Sequence, residues 1–307
     1  MNLVRIFFGL VVPYAALVTF LIGVTYRSLQ WARAPVPFRI PTTCGQQRSL
    51  PWIRSSWLES PHTGFAAACR VATEALTLRS LWRNETSELR GARLVYGRSR
   101  WLALASIAFH WSLLVVVVRH LRLFLNPVPA VISNLIDLDG FFRVGVPVVY
   151  LTDVAIAAAL LVLTWRRFAK PRMRYISLPT DYLALCLLLA VAGSGILLRY
   201  VFRTGMAEIK QYAVSLTMFS PHLPQDAGAL FYIHVLLASL LIAWIPFSKL
   251  AHMAGIWLSP TRNLANNSRA KRHVNPWNYP VQVHTYEEWE NEFRPRMKAA
   301  GLPLEKP

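Results

Sequence analysis

Cysteine is nearly absent from this 307-residue chain. Cys44, Cys69 and Cys186 are far apart, odd in number and without a Cys-x-x-Cys. That excludes a zinc finger, a covalent c-type haem attachment and a disulfide framework. Acid is scarce too: 15 Asp and Glu face 33 Lys and Arg, a net charge of +18. Charge of either sign makes up only 16% of the chain, below the roughly 25% of a soluble domain. What fills the space is apolar: 54% of the residues are hydrophobic, with 11 Trp. This is the balance of a membrane protein. No internal repeat or low-complexity tract stands out, which argues against transporters built from repeats.

Five apolar runs are long enough to cross a bilayer, which takes ~20 residues of helix. They are Ile6–Tyr26, Leu102–Phe124, Gly145–Trp165, Asp181–Val201 and Leu230–Leu250. None carries the polar stripe of a soluble amphipathic helix. The expected fold is therefore an all-α membrane protein, a five-helix transmembrane bundle. The first run is longer than a signal-peptide core, and Ala32-Arg33-Ala34 lies too far beyond it to serve as its cleavage site.

Basic residues orient the bundle. Residues 27–101 carry 12 Arg and 4 Glu, and residues 166–180 carry five basic residues and no acid. Residues 125–144 and 202–229 are close to neutral, and the tail after Ala251 has eight basic and five acidic residues. By the positive-inside rule, the N-terminus is outside, the C-terminus is cytoplasmic, and a long cytoplasmic loop follows the first helix. The chain then divides into a first transmembrane helix (1–26), a cytoplasmic loop (27–101), a four-helix core (102–258) and a cytoplasmic tail that docks a partner (259–307). The +18 is explained by this bias and calls for no nucleic acid. Within the loop, Ser60-Pro61 reads as an N-cap and first helical residue. Phe65, Ala68, Cys69, Ala72 and Leu76 follow at helical spacing, as an apolar face for membrane lipid or for a docked cytoplasmic subunit.

Four of eight histidines, His110, His120, His234 and His252, fall within or at the end of the second and fifth runs. Ionisable groups inside a membrane helix are costly and mark function. His110 and His120 are ten residues apart, about 15 Å of helix rise. His234 and His252 are eighteen apart, five turns, and so share a face. Antiparallel helices pair His110 with His252 on the cytoplasmic side and His120 with His234 on the outer side. Two pairs at two depths suit two bis-His haems b. Zinc or copper would gather its ligands at one point instead. Eighteen residues rise about 27 Å if straight, so Pro246 or tilt must absorb the mismatch with about 15 Å. Arg119, Arg122, Arg143, Asp153 and Arg199 lie near the outer helix ends, with Lys170 and Lys249 on the inner side. They are candidates for haem propionates and a quinone, or for interfacial snorkelling. Arg119, Asp153 and Arg143 are the quinone-site candidates, Arg122 and Lys249 the haem-binding ones. Gly193 and Gly195 would let a macrocycle or helix approach closely.

The His spacings of ten and eighteen resemble those of the respiratory nitrate reductase gamma subunit family. The resemblance implies five helices, two haems b paired as above, and quinol oxidation beside the outer haem. Further segments narrow it: Phe109-His110-Trp111, Arg119-His120-Leu121-Arg122, Arg174-Tyr175-Ile176-Ser177, Pro246-Phe247-Ser248-Lys249, Ser259-Pro260-Thr261-Arg262-Asn263 and Asn275-Pro276-Trp277-Asn278. With the tail from His284 to Gly301, they are similar to the cytochrome b subunits of Dsr membrane complexes of dissimilatory sulfur metabolism. The likeness covers most of the chain from about residue 80. It implies the bacterial cytoplasmic membrane, menaquinone as substrate, and a cytoplasmic iron–sulfur subunit related to heterodisulfide reductases (DsrK-like). Other Dsr complex subunits and, indirectly, the carrier protein DsrC would complete the pathway. Rival expectations are a gamma-type subunit of another reductase, for nitrate or heterodisulfide, and a haem-free membrane anchor.

Overall fold

Apolar runs with no interior polar stripe become long helices, and the first, α1, runs unbroken over Leu3–Ala32 through a π-turn at Phe7–Val11. The computed structural model describes residues 3–34, 46–48, 50–82, 85–91, 93–140, 148–203, 205–267 and 283–305. The loop helix α2 spans Gly64–Thr77 and is followed by strands β1 (Glu85–Arg90) and β2 (Arg93–Arg98). The longer helices that follow are α3 (Arg100–His120), α4 (Ala130–Asp139), α5 (Leu151–Ala169), α6 (Pro179–Tyr200), α7 (Met206–Thr217) and α8 (Ala229–Trp244). After them come α9 (His252–Leu258) and α10 (Tyr286–Ala299).

Among the described residues four helices are long and apolar enough to cross a membrane: α1, α3, α6 and α8, α3 and α8 with their 3-10 extensions. The third expected span is different. Its first residues, 145–147, lie outside the described ones, and α5 begins at Leu151. Its nineteen residues carry Asp153 in the first turn and Arg166 and Arg167 in the last. It nevertheless packs inside the bundle. α3 lies against α5, α5 against α6, α6 against α8, and α8 against α1.

Phe109, Ile156, Ala159, Leu160 and Leu188 form the central core, and Tyr212, Ala227, Phe231 and Tyr232 a second one. Two glycines let α1 close on its neighbours. A Cβ on Gly9 would lie 2.7 Å from Leu223 Cδ2, and one on Gly23 2.6 Å from Pro246 Cβ. Leu21, Leu114, Leu161 and Leu240 are exposed, as lipid-facing side chains must be.

Three expectations need correction. The fifth run is not one helix through Leu250. α8 ends at Trp244, Ile245–Phe247 form a 3-10 turn, and Ser248 is extended (φ −122°, ψ 176°). A second 3-10 turn, Lys249–Ala251, then leads into α9, which starts at His252. Pro246 has no N–H to continue the helix, and Ser248 Oγ caps the new turn by accepting from Leu250 N at 3.2 Å.

Second, α2 is capped by Thr63, whose hydroxyl accepts from Ala66 N at 3.2 Å, and not by Ser60. Ser60 is buried and bonded to Asn266 Nδ2 at 2.7 Å, while Pro61 O accepts from Asn266 N at 2.5 Å. The face that packs inward is Ala66, Ala67 and Val71; Phe65, Ala68, Ala72 and Leu76 are exposed.

Third, the mostly helical fold includes a two-stranded antiparallel hairpin, with Glu85 opposite Arg98. Gly91 takes the positive φ (62°) of its turn, which glycine tolerates freely. In the tail, α10 starts on a capping box of Thr285 and Glu288.

Candidate functional site

The regular helix α3 anchors both of its histidines to its own backbone. His110 Nδ1 lies 2.7 Å from Ser106 O, and His120 Nδ1 lies 2.7 Å from Val116 O. A carbonyl can only accept, so Nδ1 carries the proton and Nε2 keeps its lone pair. His252 repeats this against the short turn that precedes it: its Nδ1 lies 2.8 Å from Lys249 O. His234 reaches the same state through α6. Ser194 Oγ donates to Val191 O at 3.1 Å and so accepts from His234 Nδ1 at 2.8 Å. All four rings thus present an unprotonated Nε2, the tautomer a metal-ligating histidine needs.

Two of the rings meet. His110 and His252 have ring centroids 6.0 Å apart at an interplanar angle of 78°. Imidazole–metal bonds run about 2 Å, so two in line on one ion hold ring centres about 6 Å apart. His120 and His234 are electrostatic neighbours at the other end of the bundle. Among the described residues, α3 and α8 make no interface comparable to those of α3 with α5 or α6 with α8. Gly195 lies against His234: a Cβ there would lie 3.2 Å from His234 Cε1. A Cβ on Gly193 would meet nothing within 4 Å. Among the described residues no three His, Cys, Asp or Glu gather as a single metal site. The donor set therefore fits a bis-imidazole centre at His110 and His252, and leaves His120 and His234 as the candidates for a second. The break at Ser248 also disposes of the spacing problem, because α9 is no continuation of α8 and the straight-helix rise no longer applies.

Charged side chains separate into two groups. At the His120 end, Arg119 is 7% exposed and bonded to Asp139 Oδ2 at 2.7 Å and Asp153 Oδ1 at 2.5 Å. Thr152 N and Oγ1 donate to the Asp139 carboxylate, at 2.9 and 2.6 Å. Tyr200 OH donates to Asp153 Oδ2 at 2.7 Å and accepts from Tyr150 N at 3.0 Å. The Tyr150 ring lies between two guanidinium groups, with Arg119 Cζ and Arg199 Cζ each 3.9 Å from its centroid. Two of the quinone-site candidates, Arg119 and Asp153, are thus brought together but occupied by each other and by Asp139. Arg143 lies outside the described residues. Arg122 is half-buried, with Met206 Sδ 4.0 Å from its Nη2.

At the His110 end, Lys249 Nζ is bonded to buried Asp181 on α6, 2.8 Å from Oδ1 and 3.0 Å from Oδ2. Arg167 Nη1 stands 3.5 Å from the same carboxylate and bonds Ser177 Oγ at 2.8 Å. Lys170 lies apart, with Arg166 and Trp101 in a groove of about 300 Å³ between the ends of α3 and α5. Sequence reasoning missed Asp139, Asp181, Ser194 and Tyr200. The signal that could have found Asp139 was Arg119, a cation in a spanning helix that needs acidic partners.

Comparison with known proteins gives the class. Residues 71–272 match the nitrate reductase gamma subunit family, and the chain belongs to that family. All four histidines fall in the matched region. The chain is 43% identical over 288 residues to the "Hdr-like menaquinol oxidoreductase cytochrome b-like subunit" of Archaeoglobus fulgidus, covering 92% of this chain and 86% of the relative. It is 42% identical over 280 residues to the protein of the same description in Archaeoglobus profundus, covering 89% and 82%. The nitrate reductase gamma chain of Bacillus subtilis is 27% identical over 162 residues, 50% of this chain and 71% of the relative.

Proposed function

We propose that the chain is a dihaem b-type cytochrome subunit that moves electrons between the menaquinone pool and a cytoplasmic iron–sulfur subunit. The observation that carries this reading is the His110–His252 pair, 6.0 Å between ring centroids with both Nδ1 atoms tied to backbone carbonyls. Haems b, when bound, would supply one-electron chemistry at two depths of the membrane. His110 and His252 would hold the inner haem, and His120 and His234 the outer one. Arg122 is the propionate partner on the outer side, and Lys249 keeps one ammonium proton for the inner side beyond those facing Asp181.

The membrane topology belongs to this reading: five spans counting α5, N-terminus outside, tail cytoplasmic. Asp153 fits the outer end of α5 because it is paired with Arg119, and Arg166 and Arg167 fit the inner interface. Quinol would bind beside the His120–His234 pair, with the Arg119–Asp153 network as the wall of its site.

Within the family, we assign the chain to the DsrM type, with a DsrK-like partner docked on the tail and DsrC as the indirect electron carrier. The Archaeoglobus relatives favour this branch, because they are described as Hdr-like and a DsrK-like partner is itself heterodisulfide-reductase-like. Co-purification tests it: a heterodisulfide-reductase-like iron–sulfur protein is expected, and a molybdoenzyme partner would overturn it. A reduced-minus-oxidised spectrum of the folded protein must show a b-type band; its absence would leave the haem-free anchor.

A further inference from the structure

We propose that Asp181 is the positioning residue for His252: acting through Lys249, it pins the broken segment that carries this ligand in reach of His110. The proposal rests on the dihaem reading. His110, His120 and His234 project from continuous helices, whose own ladders fix them. His252 does not. It opens α9, is exposed, and is joined to α8 only by the turn at Pro246, extended Ser248 and the single turn Lys249–Ala251. Among the described residues its ring makes one hydrogen bond, from Nδ1 to Lys249 O at 2.8 Å. Its helix α9 also packs on α1, so within that packing Lys249 sets the orientation of the ring and the start of α9.

Lys249 is in turn held by its side chain. Its ammonium bridges both oxygens of Asp181, at 2.8 and 3.0 Å. Asp181 is a firm anchor: it is 7% exposed and sits in the first turn of α6, where Oδ2 accepts from Leu178 N at 3.1 Å. Arg167, 3.5 Å away, ties the same carboxylate to α5. One residue thus passes position from the packed α5–α6 pair to the histidine, with its side chain as input and its carbonyl as output.

Asp181 could instead be only the cap of α6. Asp181→Asn separates the two roles, since the amide oxygen still accepts from Leu178 N but attracts Lys249 far less. The experiment uses the whole complex, with haem content, redox titration and low-spin EPR as readouts. Asp181→Asn is expected to lose half or more of one haem, or to shift its EPR signal and potential, and to leave the other haem unchanged. Lys249→Met is expected to do the same to the same haem, and the double variant no more than either alone. The Lys249 side chain is 74% exposed, so its replacement does not threaten the core. If Lys249→Met leaves both haem signals unchanged, the clamp is wrong, whatever Asp181→Asn does. If Lys249→Met acts but Asp181→Asn does not, Lys249 serves the haem directly and Asp181 is only a cap. Wild-type complex without b-type haem would sink the dihaem reading itself; two haems that ignore both substitutions would sink only the clamp.

Discussion

At the His120–His234 end, Arg119 is buried between Asp139 and Asp153, and the neighbouring tyrosines, Thr152 and Arg199 close the network. At the His110–His252 end, the ion pair joins buried Asp181 to a lysine whose side chain is 74% exposed, beside a broken helix. The two ends use similar charges under different solvation. A buried pair is expensive to break because it strands a charge in low dielectric. A pair with one partner open to water loses less when that partner is removed, and Arg167 still faces the Asp181 carboxylate. One end is therefore locked into the bundle, and the other can yield locally. In the proposed topology the yielding end faces the cytoplasmic side, where the proposed partner docks.

The ligands give the largest effect. His120→Ala and His110→Ala should each remove one b-type haem and spare the other, as read by haem content and redox titration. Loss of the same component in both variants would merge the two ends into one site. Next in size, Arg119→Ala strands Asp139 and Asp153 and should cost about 3–5 kcal/mol in reversible unfolding. Lys249→Ala should cost under about 1 kcal/mol in the same assay. Equal costs would erase the contrast in solvation.

A smaller effect is expected at Gly195. Gly195→Ala puts a Cβ 3.2 Å from His234 Cε1, so the ring must shift by a few tenths of an ångström. The low-spin EPR signal of the His120–His234 haem should move and that of its partner should not. The smallest effect lies outside both ends: Thr63→Ala removes the cap of α2 and should cost about 1 kcal/mol. Circular dichroism melts of the purified protein measure it.

The approach of His110 to His252 is legible in the sequence because antiparallel spans bring the start of one run beside the end of the other. Pro246 signals a kink in the fifth run, but hydropathy runs on through it, and only the backbone shows that α8 ends at Trp244 and that Ser248 is extended. Asp139 reads merely as a charge between spans; its role depends on α4 folding back toward Arg119. Ser60 carries the sequence signature of a cap, yet Thr63 takes the position, because Ser60 and Pro61 are engaged by Asn266, far along the chain. The hairpin of residues 85–98 is short and rich in charge, so no hydrophobic alternation announces it. Local patterns suffice for most helices; contacts far apart in sequence decide the rest.

The most direct test is an equilibrium redox titration of the purified complex, followed at the b-type absorption band. The account predicts two one-electron components of equal amplitude, each lost with its own histidine pair. A single component, or no b-type absorption from folded protein, would contradict it.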